Sequence, residues 1–136
     1  MRALRITIAA AVVTAAVAGL QQLASGTPDP LRVEITIRYS GFEPSALSVP
    51  RGVPVTFVLV NRDPIGHEWL IGDESFHDRH RHGTEPKHGE RPNEVTIPPL
   101  GRTETTLTFE RSGTVRFICH LPGHEAYGMV GVLTVT

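Results

Sequence analysis

The sequence predicts an all-β domain, a Greek-key β-sandwich of seven to eight strands, on three observations. From Leu31 onward, apolar and polar residues alternate in short runs. Gly- and Pro-containing turn signals separate those runs, and no stretch carries the apolar spacing of a surface helix. At 136 residues there is room for one domain and a targeting segment, and the single Cys excludes an internal disulfide framework and any site that needs two thiolates. A formal net charge of −1 carries none of the basic excess of a nucleic-acid binder, so no nucleic acid is expected as a partner.

The elements follow in chain order. Arg2 and Arg5 precede the apolar run Ile6–Leu20 and the small-residue triplet Ala16-Val17-Ala18, the pattern of a secretory signal. Residues 1–25 are therefore expected to be a signal peptide or, with the apolar run extended through residues 6–23, an N-terminal membrane anchor. Either way the remainder is expected outside the cytoplasm: periplasmic, extracellular or tethered on the outer face.

Residues 31–136 form the expected domain. Val33, Ile35, Ile37 and Tyr39 share one parity, as in a half-buried strand. Val53–Val60 is β-branched and apolar on both faces, which suits a central strand with Pro54 near its start. Further strands are expected over His67–Ile71, Glu94–Ile97, Thr103–Phe109, Thr114–Cys119 and Met129–Val135. Turns fall at Pro50-Arg51-Gly52, Asn61-Arg62-Asp63-Pro64, Pro98-Pro99-Leu100-Gly101 and Arg111-Ser112-Gly113. A His-rich polar insert, Asp73–Asn93 (about 73–94), contains His77, His80, His82 and His88 and reads as a long loop.

The chemistry concentrates in Cys119-His120-Leu121-Pro122-Gly123-His124-Glu125-Ala126-Tyr127-Gly128-Met129. One loop here carries the lone Cys, a His and the only Met beyond the first residue. Val115, Phe117 and Cys119 share a parity, so the thiol is expected to face the core side, while His120 takes the opposite parity and points away. Thiolate, imidazole and thioether suit a soft metal ion, and two His and one Cys with a weak axial Met is the electron-transfer copper arrangement. The loop supplies one imidazole; His67, where a turn gives way to Trp69-Leu70-Ile71, is the candidate for the other.

In these features the chain resembles the cupredoxins, the small type 1 blue copper proteins. The most specific stretch is Gly113-Thr-Val-Arg-Phe-Ile-Cys119, His124 and Met129-Val-Gly-Val-Leu-Thr-Val135, whose spacing is closer to rusticyanin and auracyanin than to plastocyanin. The resemblance implies copper held by His67, Cys119 and His124 with Met129 axial, an eight-stranded Greek-key sandwich, and a one-electron carrier cycling between Cu(I) and Cu(II). It implies transient redox protein partners docking near His124, with Leu121, Pro122, Ala126 and Tyr127 as an apolar rim. Two departures stand out: Glu68 follows the first ligand where many members have a small polar residue, and the His-rich insert is additional.

A non-enzymatic copper-resistance role, sequestering or delivering copper, is the alternative. The insert's His77, His80, His82 and His88 are either a solvated polar loop or a weak second metal site. No catalysis is assigned to Glu68 or Glu125, no small-molecule substrate is expected, and a monomer is the expected state.

Overall fold

The computed structural model describes residues 29–84 and 91–136, so the expected signal or anchor in residues 1–25 and His88 lie outside the described residues. Among the described residues, nine strands form two packed sheets. The first sheet has the order β2 (Gly41–Glu43), β1 (Leu31–Arg38), β4 (Val55–Asn61), β7 (Arg102–Leu107). The second has the order β3 (Ala46–Val49), β9 (Val130–Val135), β8 (Gly113–Ile118), β5 (His67–Gly72), β6 (Glu94–Ile97). The chain passes back and forth between the layers, and this makes β1–β4 and β3–β9 parallel pairs within otherwise antiparallel sheets. The result is a Greek-key β-sandwich, as the alternating runs and turn signals require.

Side-chain alternation places the core between the layers. Ile35 and Ile37 of β1, Phe57 and Leu59 of β4, Trp69 and Ile71 of β5, Phe117 of β8 and Leu133 of β9 all point inward and are buried. β4 is buried on both faces, in keeping with its central place, and Pro54 stands just ahead of it, where no ladder amide is lost. Phe117 pairs in register with Gly131, and its ring lies over the place where a side chain at 131 would begin. A Cβ at position 131 would overlap the Phe117 ring.

Two differences from the sequence reading matter. The short strands β2 and β3 were not expected, since three or four residues carry too little alternation to register. The polar insert does not begin as a loop: Glu74–Arg81 form a helix, α1. The Asp73 carboxylate caps it by accepting from the Phe76 amide, Glu74 lies in the first turn, and Arg79, His80 and Arg81 lie in the last. Gly83, at φ 63°, ends it in the left-handed region. Its inward face is Phe76 and His77 rather than an aliphatic stripe, which is why apolar periodicity missed it.

Gly131→Ala is expected to lower stability by about 1–3 kcal/mol, because the Phe117 ring must leave its rotamer or the β8–β9 ladder must bow. Urea denaturation of both proteins checks this, with an unchanged midpoint as the contrary result.

Candidate metal centre

The site is built at one end of the sandwich from two connections, Asn61–His67 and Cys119–Met129. Asn61 ends β4 and fixes the first. Its side-chain amide donates to the carbonyls of Ile65 (2.7 Å) and Pro98 (2.9 Å), while its Oδ1 accepts from the Asp63 amide at 2.9 Å. Asp63 then gathers three donors. The amides of Tyr39 and Ser40 each donate to its carboxylate at 2.8 Å, and His67 Nε2–H donates to Oδ2 at 2.9 Å. Tyr39 and Ser40 sit at φ 54° and 52°, a region costly for residues with a Cβ, so the carboxylate secures a strained turn between β1 and β2.

That contact decides the His67 tautomer. With Nε2 protonated toward Asp63, Nδ1 keeps its lone pair, and this buried atom has no hydrogen-bond partner. It faces Cys119 and His124. The ligand-capable atoms of His67, Cys119 and His124 all lie within 4.8 Å of one another, with Cys119 Sγ 3.4 Å from His124 Nδ1. An orphaned imidazole nitrogen, a thiol and a second imidazole converging in a buried place fit a borderline-to-soft metal ion. The carboxylate–imidazole contact is the usual outer support of such a ligand.

A family model of copper binding proteins of the plastocyanin/azurin type matches residues 31–136. The chain is a cupredoxin. It is 30% identical over 136 residues to the copper-resistant cuproprotein CopI of Pseudomonas aeruginosa, covering 76% of this chain and 75% of that protein. It is 32% identical over 98 residues to the CopI of Rubrivivax gelatinosus, covering 69% of this chain and 59% of that one. Among solved structures, an auracyanin of Roseiflexus castenholzii superposes with a TM-score of 0.65 at 26% identity, covering 77% of this chain and 96% of the auracyanin.

Cys119 lies just past the end of β8, facing the core with Phe117, and is fully buried. Burial pushes its thiol pKa up; the amides of Glu68 and Leu121 pull it back and the Glu68 carboxylate pushes it further up, with a net rise. The Glu68 amide donates to Sγ at 3.4 Å, so the departure at position 68 leaves a backbone link between the two connections intact. Met129 is fully buried, its amide donating to the His124 carbonyl at 3.0 Å and its carbonyl accepting from the Cys119 amide at 3.2 Å. His124 is half-buried, whereas Pro122, Ala126 and Tyr127 are exposed around it. Gly123 and Gly128, at φ 85° and 95°, supply the turns that fold the loop back.

His120 takes the opposite side from Cys119, as its parity requires, and its side chain is largely covered there. Its Nε2 is 2.9 Å from His77 Nδ1, its ring stacks on His80 at 5.6 Å, and its Nδ1 is 3.5 Å from Glu125. Burial, followed by the neighbouring His77, pushes its pKa down to about 4. Among the described residues, His77, His80 and His82 form no second group with metal-ligand spacing: His77 and His80 turn inward, and His82 Nδ1–H donates to the Asp78 carbonyl at 2.7 Å. Among the described residues the one group with metal-ligand spacing is His67, Cys119 and His124.

Asp63 and Asn61 are the supporting residues that sequence reading passed over as turn formers; the signal was an Asp four residues before the candidate ligand. Burial alone raises the Asp63 pKa, but the Ser40 and Tyr39 amides and the His67 ring outweigh it and hold the carboxyl below its usual range. A depressed folded pKa contributes stability that is present above the unfolded value, about 3.9, and is lost as pH falls through the folded one. Asp63→Ala is therefore expected to cost about 2–4 kcal/mol at pH 7 by stranding two amides and an imidazole. Its disadvantage relative to the parent should shrink below about pH 4. Denaturant titrations at pH 7 and pH 3.5 check both, and a constant gap across pH would count against this account.

Proposed function

We propose that His67, Cys119 and His124, with Met129 as a weak fourth ligand, hold one copper ion, and that the chain serves as an extracytoplasmic one-electron carrier. The single observation that carries this is the partnerless, buried His67 Nδ1 facing a thiol and a second imidazole. Bound there, copper supplies reversible one-electron chemistry between Cu(I) and Cu(II). The protein supplies the rest. Asp63 locks one imidazole, the amides of Glu68 and Leu121 aim at the sulfur, and the sheets clamp β5 to β8, so the donor atoms keep their places when charge changes. His124, half-buried among exposed Pro122, Ala126 and Tyr127, offers the path to a transient redox protein partner through a small apolar contact. Nothing in this design calls for a substrate cleft, and we read the chain as a non-enzyme and a monomer. Export rests on the basic start and apolar run of residues 1–25.

A second reading, copper sequestration or delivery, is favoured by the name its relatives carry, copper-resistant cuproprotein. The same four ligands serve it; the roles differ in whether electrons or metal leave the site.

Copper added to the purified chain is expected to give an intense thiolate-to-copper visible band, absent in Cys119→Ser, with reversible one-electron voltammetry. A pale spectrum indifferent to Cys119 would defeat the ligand set. An intense band with irreversible voltammetry and ready transfer of copper to a chelator would move the role to handling. Because burial holds the Cys119 thiol protonated, loading must release a proton. Apparent copper affinity should therefore rise about tenfold per pH unit between pH 7 and 8, measured by competition with a pH-characterised chelator. A flat profile would mean that the thiol is not a ligand.

A further inference from the structure

The helix α1 is not needed to complete the sandwich, yet it makes specific contacts with the Cys119–Met129 loop. Its anchorage on the sheet is firm: the Phe76 ring lies over Gly72 at the end of β5, so close that a Cβ there would stand 2.5 Å from it. From that anchorage two side chains reach the loop. His77 Nε2–H donates to the Arg116 carbonyl at 3.1 Å, which leaves Nδ1 to accept from His120 Nε2–H at 2.9 Å. Arg81 forks onto Glu125, with Nε at 3.0 Å from Oε2 and Nη2 at 2.7 Å from Oε1. The helix's own Glu74 and Asp78 hold the guanidinium in place, at 2.6 and 2.8 Å.

The targets of these contacts are the informative part. His120 directly follows Cys119, and Glu125 directly follows His124. Cys119 and His124 gather with His67, whereas His120 and Glu125 contact His77 and Arg81 of α1, so the two sides of the loop carry different pairs. The loop needs such support. Two of its turns depend on left-handed glycines, and Pro122, Ala126 and Tyr127 bury little. An isolated exposed ion pair does little, but this one is forked, partly buried and joined to further carboxylates.

We propose that α1 braces the ligand loop, with Arg81 and His77 as positioning residues that hold Cys119 and His124 in register before metal arrives. The inference rests on the reading of those two residues as copper ligands. Both His77 nitrogens are consumed in the brace, which favours this role over a metal site of its own.

The test compares Arg81→Ala, Arg81→Lys and Glu125→Gln in the full chain, with Arg32→Ala as a control because Arg32 and its partner Glu104 both lie on the first sheet, which carries neither end of the loop. In the metal-free protein, amide hydrogen exchange over residues 120–128 is expected to accelerate about tenfold in Arg81→Ala. Arg81→Lys, which keeps the charge and loses the fork, should recover part of that protection. Glu125→Gln should accelerate exchange less than Arg81→Ala, and Arg32→Ala not at all. In the copper-loaded protein, Arg81→Ala is expected to shift the thiolate-to-copper band and to speed copper release to a chelator about tenfold. Unchanged loop exchange in Arg81→Ala overturns the brace, as does an unchanged band and release rate in a chain that loads copper. If the parent chain gives no Cys119-dependent band, the ligand reading fails while the exchange measurement still decides the brace.

Discussion

Three donors meet at one carboxylate, and the arrangement of the site follows from that meeting. Asp63 accepts from the amides of Tyr39 and Ser40, which belong to the turn between β1 and β2, and from His67, which opens β5 in the other sheet. One side chain thus joins the two layers at the end where the ligand candidates gather. It satisfies backbone groups that a left-handed turn leaves without ladder partners, and it fixes which nitrogen of His67 carries the proton. Without it the imidazole would be free to rotate or change tautomer, and the partnerless Nδ1 would lose its direction toward Cys119. A stability contact and a functional contact are here the same hydrogen bonds.

The Cys119–Met129 loop shows a second economy. It departs from the buried end of β8 and returns as β9, so its ends are held by the β8–β9 ladder, with the Cys119 amide donating to the Met129 carbonyl. Between those ends, one side carries the thiol and the imidazole of His124, and the other carries His120 and Glu125. The core packs beneath the first and α1 covers the second. His67, Cys119 and Met129 are completely buried, and only His124 reaches toward solvent.

Much of this was legible in the residues. The strands β1 and β4 to β9 follow from alternation and turn chemistry, because each is long enough, or apolar enough, to register against its neighbours. The Cys and Met of one loop were legible because the chain has one Cys and two Met, so their spacing around His124 carries information. What stayed hidden depended on tertiary partners. β2 and β3 are short edge segments defined by the strands they join. The helix α1 buries imidazoles, and a His is counted polar until its partner is known; the capping Asp73, the charge order along the helix and Gly83 were the available signs. Asp63 read as a turn former because turn chemistry and ligand support use the same short carboxylate. His120 was placed on the correct side by parity, yet its burial depended on a helix that parity does not see.

The substitution at position 68 connects these threads. A small polar side chain there would be one way to tie the two ligand-bearing connections together, and Glu68 is neither small nor placed to cap the sulfur with its carboxylate, which instead pushes the thiol pKa up. The tie persists because the backbone makes it: the Glu68 amide reaches Cys119 Sγ, and the antiparallel β5–β8 ladder fixes that distance whatever side chain is present. The residual push of the Glu68 charge favours the protonated thiol when no metal is bound and is relieved when a cation sits on the sulfur. An electron carrier needs its metal retained through many cycles, whereas a delivery protein needs it released on demand. Backbone-fixed sulfur contacts, a locked His67 and a braced loop all oppose the rearrangement through which ligands would open one at a time.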